Sequence, residues 1–228
     1  GRVDPGTVLR IKKFLRENDI DIIHTHNYKS DITGFFAARL AGKKWVATNH
    51  VWHSTDRKLA TYEKLDAFVL QFASKIVAVS DEIKRDLLSK KFKDGHVKVI
   101  HNGINIGQFA RNPAGAALKQ ELGIKDDEVV VSIVGRLAVE KRHDVFLKAA
   151  RIVIDQNRPA RFLVIGDGPL AQELKEQAKT LGLNDRVIFT GIREDIPLIY
   201  SITDIMVNSS TIEGLPMTIL EAMAAGVT

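Results

Sequence analysis

The chain has 228 residues, 45% of them hydrophobic, a formal net charge of +5 and no cysteine. Length and composition fit one large domain or two small ones with real cores, and exclude disorder over most of the chain. The lack of cysteine excludes disulfide frameworks, thiolate metal sites and cysteine nucleophiles, while the positive balance favours anionic partners.

In chain order, a charged helix over Thr7–Arg16 precedes a β-branched strand, Ile20–Thr25. A helix over Asp31–Ala41 leads to the strand Lys44–Thr48, and a long amphipathic stretch, Lys58–Ser74, to the strand Lys75–Val79. Ser80 reads as the N-cap of a helix over Asp81–Lys90, followed by the strand His96–Ile100. Asn102-Gly103 and Asn112-Pro113 are turn signals, and Ile104 to Asn112 reads as a linker between halves covering residues 1–107 and 108–228. Two basic clusters stand out: Lys12, Lys13 and Arg16, and Lys84, Arg85, Lys90, Lys91, Lys93 and Lys98. They read as solvated helix faces or, more sharply, as a surface facing an anionic membrane.

The second half repeats the pattern more cleanly. Val129–Val134 is a fully apolar strand with the helix Asp144–Asp155 behind it. Phe162–Ile165 is the next strand, closed by Gly166-Asp167-Gly168-Pro169, whose last two residues suit the cap and first position of a helix over Leu170–Leu181. The strand Val187–Thr190, a short helix Asp195–Ser201, the strand Ile205–Asn208 and the helix Pro216–Ala225 follow, with Gly226 as the residue after that helix and Val227 as the start of a further strand. Apolar strands alternating with amphipathic helices predict parallel sheets covered on both faces, with ligands beyond the carboxyl ends of the strands. With too few strands in the first half and a stop at Thr228, the chain reads as cut at both ends, with exposed sheet edges and poor solubility as the expected consequence. No apolar run is long enough to span a bilayer, and no signal peptide is visible, although the chain opens without an initiator Met.

Several features fall at strand ends. Gly135-Arg136-Leu137-Ala138-Val139-Glu140-Lys141 follows Val129–Val134 and puts two cations on one loop, suited to a diphosphate. After Ile205–Asn208, Glu213 and Glu221 are separated by seven residues. Gly214 permits close backbone approach, Pro216 starts a helix whose first amides around Met217 and Thr218 can receive an anion, and Glu221 on that helix can accept from both hydroxyls of a ribose. His24 and His26 end one strand, and His50 and His53 follow another. Asp19-Ile20-Asp21 spells D-x-D but precedes its strand, on the side away from ligands, and reads as a turn.

Glu213–Glu221 resembles the E-x7-E signature of the large GT-B glycosyltransferase family (family 4, group 1 type) that includes sucrose synthase, phosphatidylinositol mannosyltransferase and many bacterial envelope enzymes. Gly135–Lys141 is similar to its G-R-L-x-x-E-K segment, and Val99–Asn105 and Ile165–Pro169 resemble further motifs in the same order. The resemblance implies an α/β GT-B fold, two Rossmann-like doubly wound domains facing a cleft, the first on the acceptor side and the second binding the nucleotide-sugar, both incomplete here. It implies that Arg136 and Lys141 bind the donor diphosphate, Glu213 contacts the donor sugar, Gly214, Leu215, Pro216, Met217 and Thr218 offer backbone amides, Glu221 holds the ribose, and Gly191, Ile192 and Arg193 lie near the base. Ala47-Thr48-Asn49-His50 matches the position where a histidine sits beside the anomeric carbon, and His24-Thr25-His26 resembles the D-x-x-H-x-H strand end, which makes His26 a candidate sugar or acceptor contact. The catalytic set is then His50, Arg136, Lys141 and Glu213. Asn102-Gly103 and Gly166–Pro169 read as structural turns.

The implied activity is retaining, metal-independent sugar transfer without a cofactor, the nucleotide-sugar being a substrate. The stretches Thr25–Asp31 and Thr61–Asp66 resemble envelope and exopolysaccharide enzymes, which implies a lipid-linked or glycan acceptor, a cytoplasmic site with peripheral contact to the inner membrane face, and no nucleic acid. Two other readings stand beside it: a non-catalytic nucleotide-sugar or glycan-binding module, and a metallohydrolase using His24, His26 and His50 as ligands.

Overall fold

A computed structural model of the chain describes residues 4–50, 57–110, 112 and 114–228. It holds two compact units, Gly1–Asn102 with Glu213–Leu215, and Gly103–Ile212 with Pro216–Thr228. His53 and Pro113 lie outside the described residues.

The first unit is a four-stranded parallel sheet in the order β1-β2-β3-β4, with strands Ile22–His26, Lys44–Asn49, Lys75–Ala78 and Val97–Val99. Helices α1 (Pro5–Glu17), α2 (Tyr28–Ala41), α3 (Arg57–Leu70) and α4 (Asp81–Ser89) connect and cover them. α2 starts three residues before the expected Asp31, because Asn27, at φ +82°, caps it by accepting from the Lys29 and Ser30 amides. Ser80 caps α4 as expected, accepting from Ile83 N at 3.2 Å. α3 stops at Leu70 rather than Ser74, where the Phe72 and Ala73 amides turn back onto the Val69 and Leu70 carbonyls. The core is Ile32, Trp45, Leu70, Ile76 and Leu87 with their neighbours, all 5% exposed or less. Each such side chain stabilises the fold by about 1.5–3 kcal/mol relative to exposure.

The second unit is also parallel, but its order is β7-β6-β5-β8. β5 is Val129–Val134, β6 Ala160–Ile165, β7 Val187–Gly191 and β8 Ile205–Met206. The chain winds outward from β5 through β6 to β7, then returns to the other side of β5 with β8. Helices α6 (His143–Asp155) and α7 (Ala171–Thr180) cover one face, through Phe146, Leu147 and Leu174 packed on Ile133, Phe162 and Val164. Helices α5 (Gly115–Glu121) and α8 (Ile196–Ile202) cover the other, through Leu118, Ile199 and Ile202 on Val130, Leu163 and Ile165. Burial on both faces is why β5 reads as an apolar run rather than an alternating one, broken only by Ser132, which is itself fully buried.

Three sequence expectations are corrected in this unit. α7 begins at Ala171 and not at Pro169, because Gly166–Gly168 is held against the neighbouring loop by backbone bonds. Only Ile205–Met206 forms strand β8, Asn208 and its successor being drawn away into the next loop. α5 has no counterpart in the sequence reading, and the expected linker contains a 3-10 turn, Ile106–Phe109, that buries Phe109 at 7% exposure. At the end of the chain, Met206 N donates to Thr228 O at 2.8 Å and Thr228 N to Asp204 O at 3.3 Å, the strand-like pairing expected of Val227 and its neighbour.

Candidate functional site

In an open parallel sheet, ligands bind beyond the carboxyl ends of the strands at the point where the winding direction reverses. In the second unit that point lies between β5 and β8. The loop after β5 is Gly135–Lys141, and the segment after β8 leads to Ile212, so both sequence motifs emerge at the reversal. They are bonded to each other: Ser209 Oγ donates to Lys141 O at 2.8 Å, and Thr211 N to Glu140 O at 3.0 Å.

The loops after β5, β6 and β7 are also laced together. Gly135 N donates to Ile165 O, Leu137 N to Asp167 O, Leu170 N to Leu137 O and Gly166 N to Gly191 O, all at 2.9–3.0 Å. The approach is so close that a Cβ on Gly166, at φ +128°, would lie 2.1 Å from Gly135 O, and one on Gly168 would lie 2.5 Å from Leu137 O. Only glycine fits at either position.

On this rigid edge Arg136 is exposed, and its guanidinium has no partner among the described residues. Lys141 is half-buried, its aliphatic stem passing 3.9 Å from where a Gly135 Cβ would be. The next residue, Arg142, has a positive φ of 51° and clamps Asp144 with two bonds of 2.8 and 3.0 Å, fixing the entry to α6. His143 is buried at 2% exposure, and burial, then the Lys141 charge, lowers its pKa to about 4, so it adds no charge here.

Helix α9 (Met217–Ala224) follows Pro216, which offers no side-chain cap. Its first amides, on Met217 and Thr218, have no intrahelical acceptor and remain for a ligand. Glu221 sits in the second turn, half-buried, with the buried Tyr200 phenol donating toward its Oε2 at 3.3 Å. Arg193 behaves differently from what its position suggests: Asp195 grips the guanidinium at 2.7 Å and at a second, shorter contact, and Glu121 adds a third at 3.2 Å. Its side chain links α5 to the β7 loop, and the exposed group in that segment is Ile192, at 77%.

The histidines cluster in the first unit at the carboxyl ends of the neighbouring strands β1 and β2, where His26 pairs in register with Thr48. His26 Nδ1 lies 3.1 Å from His50 Nε2, and His24 Nε2 lies 2.7 Å from the Thr48 hydroxyl. Burial, then the neighbouring imidazoles, lowers the pKa of His24 and of His50, which favours the neutral form of these two rings. No group of three or more His, Asp or Glu side chains is gathered as a metal site among the described residues. Asp19 and Asp21 stand at the opposite, amino end of β1. In this unit Asn102 Nδ2 donates to Leu215 O at 3.0 Å, and a Cβ on Gly214 would fall 2.0 Å from His50 O. Sequence reasoning missed the Ser209 and Thr211 ties, the Asn102 bond and Tyr200; only the polar run Asn208–Thr211 directly after a strand signalled the first of these.

Comparison with known proteins agrees with this arrangement. Residues 116–228 match the model of "Glycosyl transferases group 1", and residues 1–108 that of "Glycosyltransferase Family 4". The chain is 34% identical over 233 residues to the UDP-Gal:alpha-D-GlcNAc-diphosphoundecaprenol alpha-1,3-galactosyltransferase of Escherichia coli, covering 98% of this chain and 60% of that protein. It is 29% identical over 228 residues to the alpha-monoglucosyldiacylglycerol synthase of Streptococcus pneumoniae, covering 92% of this chain and 51% of that one. Among solved structures, Anabaena HepE in complex with UDP-glucose superposes with a TM-score of 0.87 at 26% identity, over 96% of this chain and 61% of its own. The chain thus spans between half and two thirds of the length of these relatives. The chain belongs to the group 1, family 4 glycosyltransferases of GT-B fold.

Proposed function

We propose that the chain transfers a sugar from a UDP-sugar to a lipid-linked or glycan acceptor, with retention at the anomeric carbon and without a divalent metal, in cell-envelope or exopolysaccharide synthesis. The observation that carries this reading is the reversal between β5 and β8, at which an unpartnered Arg136, Lys141 and the segment leading to the free amides of α9 emerge together. Two cations and a helix N-terminus at a switch point are suited to a diphosphate. The uridine is supported by the UDP-galactose in the name of the Escherichia coli relative and the UDP-glucose bound to HepE. The acceptor is supported by the diphosphoundecaprenol of the same relative and the diacylglycerol of the streptococcal one.

The roles follow from chemistry. The bond between the anomeric carbon and the β-phosphate oxygen breaks, and the acceptor oxygen bonds to that carbon on the same face. The acceptor's proton passes to the departing phosphate. Arg136 and Lys141 neutralise the charge that develops there, with the amides from Gly214 to Thr218 as further donors. Glu213 accepts from sugar hydroxyls, Glu221 from the ribose, and Gly191 and Ile192 flank the base. Arg193 braces that segment instead of touching the base, since two carboxylates already occupy its guanidinium. His50, with His26 bonded to it, orients the sugar. The exposed Lys13, Arg16, Lys91, Lys93 and Lys98 face the anionic inner leaflet. No helix among the described residues is long and apolar enough to cross a membrane.

The test is a transfer assay on the full-length protein in EDTA, with UDP-sugars and an undecaprenyl-diphosphate-linked acceptor. Transfer giving a product of the donor's own anomeric configuration supports the reading. Inverted product, or activity restored only by Mg²⁺ or Mn²⁺, overturns it.

A further inference from the structure

Among the described residues Tyr200 is the largest side chain that is less than 2% exposed, and it carries a polar atom. It lies on α8, a short helix otherwise devoted to the apolar contacts of Ile199 and Ile202. Its ring packs near Phe109 at a centroid distance of 6.1 Å. Its hydroxyl reaches α9, where the single proton lies between two acceptors, Thr218 O at 3.1 Å and Glu221 Oε2 at 3.3 Å. Burial first, and then the Glu221 charge, raise the phenol's pKa, so the group is a permanent donor across the physiological range. A phenylalanine would fill the same space, so the hydroxyl is not needed for packing. A buried hydroxyl needs a hydrogen-bond partner, and this one finds both of its acceptors on α9.

We propose that Tyr200 is the positioning residue of the nucleotide's ribose subsite: its phenol holds Glu221 by one carboxylate oxygen and so presents the other to the ribose hydroxyls. The geometry divides the carboxylate. Oε2 is taken by Tyr200, while Oε1 makes no hydrogen bond among the described residues. Glu221 is otherwise a flexible side chain on the second turn of an eight-residue helix. Without an anchor it would lose rotamer freedom on each binding event, a cost that pre-fixing one oxygen removes. The second acceptor, Thr218 O, belongs to the first turn of the same helix, so one hydroxyl references the carboxylate to the turn whose amides face the diphosphate.

This inference rests on the reading that Glu221 binds the ribose, and the experiment separates the two. Calorimetry compares UDP with 2′,3′-dideoxy-UDP on the parent chain, Tyr200→Phe and Glu221→Gln. The parent should prefer UDP by one to two decades, and Glu221→Gln should lose most of that preference. Tyr200→Phe should cut it by about tenfold while dideoxy-UDP binds as in the parent, because one hydrogen bond to a charged group is lost indirectly. A merely structural hydroxyl would weaken both ligands equally, or neither, and that result overturns the proposal. A parent that does not discriminate the two nucleotides removes the ribose reading itself. If Glu221→Gln loses the preference and Tyr200→Phe keeps it, the ribose reading stands and the role of Tyr200 falls. Thermal melts of Tyr200→Phe, expected to match the parent within a few degrees, confirm that the comparison is made on a folded protein.

Discussion

The Ser209 hydroxyl donates to the Lys141 carbonyl at 2.8 Å and to that of Arg142 at 3.0 Å, so one side chain after β8 pins the backbone that carries a proposed diphosphate ligand after β5. Sheet order alone brings the two strands together; Ser209 sets the height of the loop. Arg136→Ala or Lys141→Ala should lower kcat by about 10²–10³, the usual cost of removing one donor aimed at developing charge. Lys141→Arg should not restore the rate, since a planar fork does not replace a point charge. Ser209→Ala keeps both cations and loosens only their support, so its expected loss is about tenfold or less. Steady-state kinetics of the four variants in the full-length protein checks this ordering, and equal rates throughout would place the diphosphate elsewhere.

Gly166 gives a stability prediction independent of any ligand. A methyl group there would sit 2.1 Å from the Gly135 carbonyl oxygen, a backbone atom inside a laced set of loops, and φ is +128°. Gly166→Ala should therefore destabilise the second unit by about 2 kcal/mol or more. Gly103→Ala, where a Cβ meets nothing within 4 Å, should change stability by less than about 0.5 kcal/mol. Urea unfolding of both variants decides the matter.

A buried acid pair makes the stability of the first unit fall as pH rises from about 4 to 8. Asp31 and Asp66 are each 1% exposed. Burial, and then the Asp66 charge beside it, push the Asp31 pKa up to about 8, against a hydrogen bond with Thr25 that lowers it. With the folded pKa above the unfolded one, the folded state holds the extra proton between roughly pH 4 and 8. Stability contributed by this group is thus complete below the unfolded pKa and falls as pH rises towards 8, by up to about 1.4 kcal/mol per unit. Asp31→Asn keeps the shape and removes the titration. Its unfolding free energy should fall less steeply than the parent's from pH 5 to 8; parallel pH profiles would show that the pair does not share a proton.

These features differ in how far the sequence announces them. β5 and the E-x7-E spacing are legible because each is local: an apolar run buried on both faces, and two carboxylates bracketing a glycine, a proline and one helical turn. Helix α5 was missed because Ala114 gives no capping signal before Gly115-Ala116-Ala117. Asp31 looks like an ordinary acidic residue in a helix's first turn, and only the packing of α2 against α3 turns it into a buried group. Arg193 follows a strand end and so looks like a ligand residue, yet Glu121, which occupies part of it, comes from a helix the sequence did not show. The chemistry written in contiguous residues could be read; the supporting contacts, made between distant elements, could not.

The two glutamates allow a test of role and not merely of importance. Glu221 is assigned to the ribose, which donor and free UDP both possess, and Glu213 to the sugar, which only the donor possesses. Glu221→Gln should weaken UDP-sugar and UDP alike, by roughly 1.5–3 kcal/mol or one to two decades in Kd, as expected for a hydrogen bond to a charged group. Glu213→Gln should leave UDP affinity close to the parent's while lowering transfer. Neither change alters side-chain volume, so lost packing is a poor explanation of a difference between them. Glu221 also sits behind the Tyr200 hydroxyl, which will still find the glutamine's oxygen as an acceptor, so the fold around α9 should survive. Calorimetry with UDP separates the outcomes. If both variants bind and turn over like the parent, both carboxylates are solvated bystanders. If Glu213→Gln loses UDP and Glu221→Gln keeps it, the two assignments are reversed, and the ribose must then lie toward the Ser209–Ile212 segment instead of the second turn of α9.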